Sequence, residues 1–360
     1  MLGDRVDLEE LVREAARWQL EPAFFGNLRR HFSSCIPHAA LLDATLRETE
    51  SRARVISRTL VFVELLKKFD AAGIPVIVLK GPAVGIVAYD DFSMRSYGDL
   101  DLLVEARDLE IARDFLIGNE LLPVYDLASE TALVRDGHAL EFSDGRSNVD
   151  LHSRLLSRHL RFNLDERELW SQSRVLECAG YRMRVLGTVH LFLFLCAHGT
   201  KHEWANPRWI VDVAQIAQRL TASEVAAVSD LARRTHSVRI LALSLRLAQA
   251  LFPDDRTLFK ADTLAPEVET RALVADVESR FRNRQTPAVR RRSRTAHIHP
   301  QLGPLLFWVR SREQLRDRVA CLALVALTPP SITPGDDRHN KWYIRRIKLA
   351  WRLLRSTRDS

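Results

Sequence analysis

The stretch IPVIVLKGPAVGIVAYDDFSMRSYGDLDLLV, residues 74–104, decides the fold. Ile74 to Leu79 is a short, continuously apolar run of the kind buried inside a sheet. Lys80 and Gly81 follow at once, and Pro82 suits the first turn of a helix that would reach about Tyr89. DDFSMRSYG reads as a polar loop ending at Gly98, and DLDLLV, Asp99 to Val104, as a strand with one polar and one apolar face.

Reading outward, Gly73 stops a helix predicted over 37–71, whose segment VISRTLVFVELLKKFD has apolar positions three and four residues apart. Another helix is predicted over 5–24. Downstream, EARDLEIARDFLIG returns to helix, and LLPVYDL, TALVRDG and HALEF read as strands joined by Asp-Gly turns. A further strand is expected around Val149 to His152. After a stretch without clear pattern, helices are predicted at 187–200, 207–219, 223–251, 267–282 and 310–327, with Pro329 and Pro330 ending the last. The run from Asn283, NRQTPAVRRRSRTAHIHPQLGP, has no period and reads as a loop.

This order predicts an α+β fold with a mixed β-sheet. The expected parts are an N-terminal helical region at 1–54, a catalytic domain at 55–185, a helical lobe at 186–330 and a basic amphipathic C-terminal helix at 331–360.

Alternation along DLDLLV sends Asp99 and Asp101 to one face and Leu100 and Leu102 to the other. Two carboxylates so close repel, and burying them without a cation is costly. Mg²⁺, which takes hard oxygen ligands from carboxylates, phosphates and water, resolves the conflict. A third carboxylate is expected from a neighbouring strand, and Asp150, between apolar Val149 and Leu151, is the candidate. In a two-metal arrangement Asp99 and Asp101 would bridge both ions and Asp150 would hold the one that activates an acceptor. The alternative is an ordinary polar strand edge.

VIVLKGPAVGIVAYDDFSMRSYGDLDLLV, NVDLH and CAHGTKHEWANPRWIVDVAQI together resemble the nucleotidyltransferase superfamily that includes polymerase beta, and within it the bacterial nucleotidyltransferase family 5. The likeness covers about residues 60 to 220. It implies a polymerase-beta-like domain with a Gly turn before a helix at Gly81, two metal carboxylates at Asp99 and Asp101, and a third at Asp150. One position departs: the superfamily turn usually continues with Ser or Gly, and here Gly81 is followed by Pro82. The expected reaction is transfer of a nucleoside monophosphate from an NTP, with ATP as the expected donor and two Mg²⁺ ions, releasing pyrophosphate. A catalytically inactive nucleotide- or partner-binding protein on the same fold is the alternative.

Lys80, at a strand end beside a helix start, is a candidate phosphate contact, as is Arg95 in the loop before the aspartate strand. The competing reading for Arg95 is a surface ion pair with Asp90 or Asp91. In HGTKHEW, Lys201 is a second candidate phosphate contact, with His202 orienting it or touching the acceptor. His198 and His202 have the spacing of a helical metal pair with Asp212 as a third ligand, but Gly199 interrupts the helix pattern and the sequence lacks H-E-x-x-H. Asp212 is better read as holding Arg208 or Lys201 in position. Tyr89, Tyr97, Trp204 and Trp209 read as packing residues, and His152 as a secondary candidate base.

The net charge is +7, with 53 Lys and Arg against 46 Asp and Glu. From Arg338 to Ser360 there are eight basic residues and one acidic residue, a net +7, so the remainder balances at 45 of each sign. A template duplex needs a continuous basic stripe, so no nucleic-acid template is expected; a small-molecule, peptide or protein acceptor is. In the basic segment Ile344, Ile347, Trp351 and Leu354 share one helical stripe, a pattern that would dock on the protein, on a partner, or peripherally on an anionic membrane. The N-terminus lacks a signal-peptide pattern, and the four cysteines, Cys35, Cys178, Cys196 and Cys321, are scattered. Both features fit a cytoplasmic location.

Overall fold

A computed structural model describes residues 8–34, 36–125, 130–162, 164–253, 259–284 and 302–327. The basic C-terminal segment and the arginine-rich run from 285 lie outside the described residues.

The N-terminal fifth is helical: α1 Leu8–Arg17, α2 Glu21–Phe32 and α3 His38–Ala71. The single helix expected over 5–24 is two, because Gln19 adopts a left-handed conformation (φ 57°) and Pro22 sits in the first turn of α2, where a proline lacks no needed donor. The next elements follow the deciding stretch closely: β1 Ile77–Val78, α4 Pro82–Tyr89, β2 Asp99–Leu103 and α5 Leu109–Gly118. Then come β3 Leu122–Pro123, α6 Glu130–Asp136, β4 Leu140–Ser143, β5 Asn148–His152, α7 Glu166–Ser171, β6 Arg174–Cys178 and β7 Tyr181–Val185. TALVRDG, expected as a strand, is therefore α6. The stretch read as patternless holds a hairpin whose two turn residues, Ala179 and Gly180, both have positive φ (51° and 76°), as a tight primed turn requires.

The sheet is mixed, in the order β3-β4-β5-β2-β1-β7-β6, with β2 parallel to β5 and β1 parallel to β7. One face is covered by α3 and α5: Phe62, Leu66, Phe69, Leu109 and Leu116 pack with Val78, Leu100, Leu102, Val149 and Leu151. At about 25 cal/mol per Å² of apolar surface removed from water, this layer is a main source of stability.

Ile77, Leu79 and Leu103 belong to a second core shared with the helical lobe. That lobe comprises α8 Thr188–Lys201, α9 Pro207–Ala217, α10 Ala222–Arg234, α11 Val238–Leu251, α12 Arg271–Arg284, α13 Leu302–Ser311 and α14 Leu315–Leu327. The helix expected over 223–251 is broken between Arg234 and Val238, where His236 has φ 51°, and the one over 310–327 is broken between Ser311 and Leu315. Among the described residues no helix is long and apolar enough to cross a membrane. Since Leu100 and Leu102 face the α3–α5 layer, alternation turns Asp99 and Asp101 toward the lobe, and the space between sheet and lobe becomes the site.

Candidate metal and nucleotide site

The parallel register of β2 and β5 sets Asp101 beside Asp150, Leu103 beside His152 and Asp99 beside Asn148. One ligand atom each from Asp101, Asp150 and His152 lies within 4.8 Å of the others. Asp99 is outside this group of three but lines the same cavity, of about 500 Å³, with Lys80, Gly81, Arg95, Lys201, His202, Arg208 and Trp209. The structure thus brings every sequence-predicted site residue to one cavity. It also adds His152, read only as a base, to the ligand group; its place two residues after Asp150 on one strand face was the available signal.

The electrostatics set the two carboxylates apart: Asp150 is short of positive charge and Asp101 is not. Burial pushes the Asp150 carboxyl up, and Asp101 and Asp99 add to this, to about 7. Burial also opposes charge on Asp101, but Lys80 and His152 outweigh it and hold that carboxyl well below the usual range. Lys80 Nζ lies 2.7 Å and His152 Nε2 3.4 Å from Asp101 Oδ1. Both are close enough to favour the charge, yet neither is aligned for a hydrogen bond, so Asp101 Oδ1 and His152 Nε2 are buried without one. Buried polar atoms ordinarily have directed partners. Two carboxylates and an imidazole converging in this state fit a divalent cation.

The basic wall is built by three local devices. Gly81, with φ 61°, turns the chain from β1 into α4 and leaves room for Tyr97, whose ring a Cβ would approach to 3.3 Å. Tyr97 is fixed by its hydroxyl 2.7 Å from Thr59 Oγ1. Arg95 is not a surface residue: it is 3% exposed, donates to Asp212 Oδ2 at 2.9 Å, and shares that carboxylate with Tyr89, whose hydroxyl donates to Oδ1 at 3.0 Å. Asp212 therefore orients Arg95, not Arg208 or Lys201, while Asp90 and Asp91 pair instead with Arg219 and Arg52. At the start of α9 the Asn206 side chain accepts from the Arg208 backbone N–H at 3.0 Å, an N-cap that aims Arg208 and Trp209 at the cavity. Arg208 donates to the Ser96 carbonyl and to Gln19, and burial, with Arg95 nearby, lowers its guanidinium to about 10.

Gly199 does not end α8. A Cβ there would lie 2.5 Å from the Trp204 ring, so glycine admits the fully buried Trp204 against the helix. This packing lets α8 run to Lys201 and brings its last turn to the cavity. Burial, then the Lys80 charge, lowers the Lys201 ammonium. Burial lowers His202 to about 4 and also lowers His198, and the two rings pack against Trp209 at centroid distances of 5.4 and 5.2 Å respectively. Because Asp212 is committed to Arg95 and Tyr89, the alternative metal set of His198, His202 and Asp212 is not assembled.

A mixed sheet carrying carboxylates on adjacent parallel strands, opposed by a basic wall, fits the nucleotidyltransferase-like class. Residues 4–253 match the family described as uncharacterised nucleotidyltransferase, and the chain belongs to this family of the polymerase-beta-like superfamily. Among curated proteins, none matches the chain significantly.

Proposed function

We propose that the protein is a Mg²⁺-dependent nucleotidyltransferase that transfers a nucleoside monophosphate from an NTP, with ATP as the first donor to test, to a hydroxyl or phosphate of a small-molecule, peptide or protein acceptor. The observation that carries this reading is the Asp101–Asp150 register pair facing Lys201, Arg95 and Arg208 across one cavity. Asp101, Asp150 and His152 would hold the cation, with Asp99 lining the same cavity. When bound it supplies neutralisation of the triphosphate and a lowered acceptor pKa. Arg95 enters the reaction already oriented by Asp212, so its charge costs little reorganisation when phosphate binds. Lys201 and Arg208, both disfavoured as buried cations, gain from an anion between them. Asp150, on the β4 side of Asp101, would face the acceptor, and Tyr125 and Leu133 line the same cavity.

The test is pyrophosphate release from each NTP with Mg²⁺ and a cell-extract acceptor pool, with acceptor mass read in parallel. Release with an acceptor gain of one nucleoside monophosphate is expected; none with any NTP, from folded protein, contradicts the reading. One observation favours a nucleotide-binding protein without turnover: the Lys80 ammonium lies on a proposed metal carboxylate. Calorimetry with a nonhydrolysable NTP would then show binding while the product assay stays blank.

A further inference from the structure

Lys80 has two potential occupations that exclude each other. Its ammonium lies 2.7 Å from Asp101 Oδ1, inside the space a cation bound by Asp101, Asp150 and His152 would claim. Its backbone is held in place, since Leu79 N donates to Asp101 O at 2.9 Å, but the four-carbon stem is free to carry the ammonium a few ångströms.

The rest of the cavity offers a displaced ammonium little. Arg95, Lys201 and Arg208 are already there, Asp212 is committed to Arg95 and Tyr89, Asp99 lies near the Arg208 charge, and Glu141 is exposed to solvent at the rim. A triphosphate changes this by supplying oxygens to which the ammonium can move.

We propose that Lys80 makes metal binding conditional on nucleotide: its ammonium occupies Asp101 until a phosphate oxygen draws it away, so that a divalent cation and a nucleotide bind cooperatively. This rests on the metal-site reading above. Linkage requires the same coupling in both directions, so the metal also strengthens nucleotide binding. Direct coordination of phosphate by metal gives some cooperativity whatever Lys80 does. The distinguishing effect is therefore the behaviour of the metal alone.

The experiment is Mn²⁺ binding, followed by electron paramagnetic resonance and calorimetry, to the full chain without nucleotide and with a nonhydrolysable ATP analogue. Wild-type protein should bind Mn²⁺ alone weakly and at least tenfold more tightly with the analogue. Lys80→Met should bind Mn²⁺ alone at least tenfold more tightly than wild type, and the enhancement by analogue should shrink. Lys80→Arg, which keeps the charge, should stay weak, and Lys80→Gln replaces the Met variant if that variant does not fold. Mn²⁺ affinity of the neutral variants equal to or below that of wild type overturns the inference and leaves the metal site standing. No Mn²⁺ binding by wild type or neutral variants, with or without analogue, removes both.

Discussion

At the scale of single residues, the site is a set of charges whose environments have been arranged in opposition. Asp101 is held ionised by Lys80 and His152, while Asp150, one strand away, is pushed up to about 7 by burial and by its acidic neighbours. Substitution Asp101→Asn should therefore abolish Mn²⁺ binding and reduce pyrophosphate release by at least about 100-fold, the upper loss typical of removing even a group that only orients a metal ligand. Unchanged Mn²⁺ affinity would remove Asp101 from the ligand set. Asp212→Asn addresses the basic wall instead. It leaves Arg95, 3% exposed, without its counter-charge, and breaking a buried pair in this way costs about 3–5 kcal/mol. A lower thermal midpoint together with weaker nucleotide binding is expected. Full stability with unchanged nucleotide affinity would contradict the positioning role given to Asp212.

At the scale of elements, the sequence is most transparent where one local rule acts alone. Pro82 at a helix start and the alternation in DLDLL place α4 and β2 to within a residue or so of the expected bounds. The same alternation is enough to put Asp99 and Asp101 together on the open face. TALVRDG fails because seven residues cannot separate a helical from an extended period; α6 is settled by tertiary partners, with Glu130 taking Arg113 and the Tyr125 hydroxyl. The β6–β7 hairpin turns on Ala179 with positive φ, a conformation that alanine does not advertise. Gly199 misleads in the opposite direction, since glycine there reflects the approach of Trp204, not a helix end.

Gly199→Ala separates these two effects. Helix propensity alone would stabilise α8 by about 1 kcal/mol. The 2.5 Å approach to Trp204 predicts the reverse, a loss of about 1–3 kcal/mol by overpacking, with displacement of the turn that carries His202 and Trp209. Denaturant unfolding gives the sign, and a stabilised variant would mean that Trp204 is not seated as described.

At the scale of the whole molecule, sheet and lobe share a core through Ile77, Leu79 and Leu103, which joins β1 and β2 to α8 and α9 behind the cavity. The buried histidines of that packing couple stability to pH. His198 and His202 are held neutral, with folded values below the ordinary 6.5 and about 4 for His202. Their contribution is fully present above 6.5, where both folded and unfolded forms are neutral. It is lost as pH falls, because the unfolded chain takes up protons first. Between pH 7 and 4 His202 alone should cost on the order of 3 kcal/mol of stability, from its shift from 6.5 to about 4, while Asp150, raised to about 7, acts in the opposite sense and gains stability as it is protonated. A His202→Gln variant should therefore lose less of its thermal midpoint on acidification than wild type, and the same acid sensitivity in both would refute the assignment.

The charge balance also becomes clear only at this scale: the chain outside 338–360 is neutral overall, yet Arg95, Lys201 and Arg208 converge on one wall while the carboxylates, with Lys80 beside them, occupy the other. Totals cannot reveal that sorting, which arises from the β2–β5 register and the two helix termini facing it. The most direct test of this arrangement is a crystal of the full chain soaked with Mn²⁺ and a nonhydrolysable ATP analogue, read by anomalous scattering. The account predicts a manganese peak coordinated by both Asp101 and Asp150, with the triphosphate against Lys201, Arg95 and Arg208. Manganese away from these two carboxylates, or a triphosphate bound elsewhere on the molecule, would contradict it.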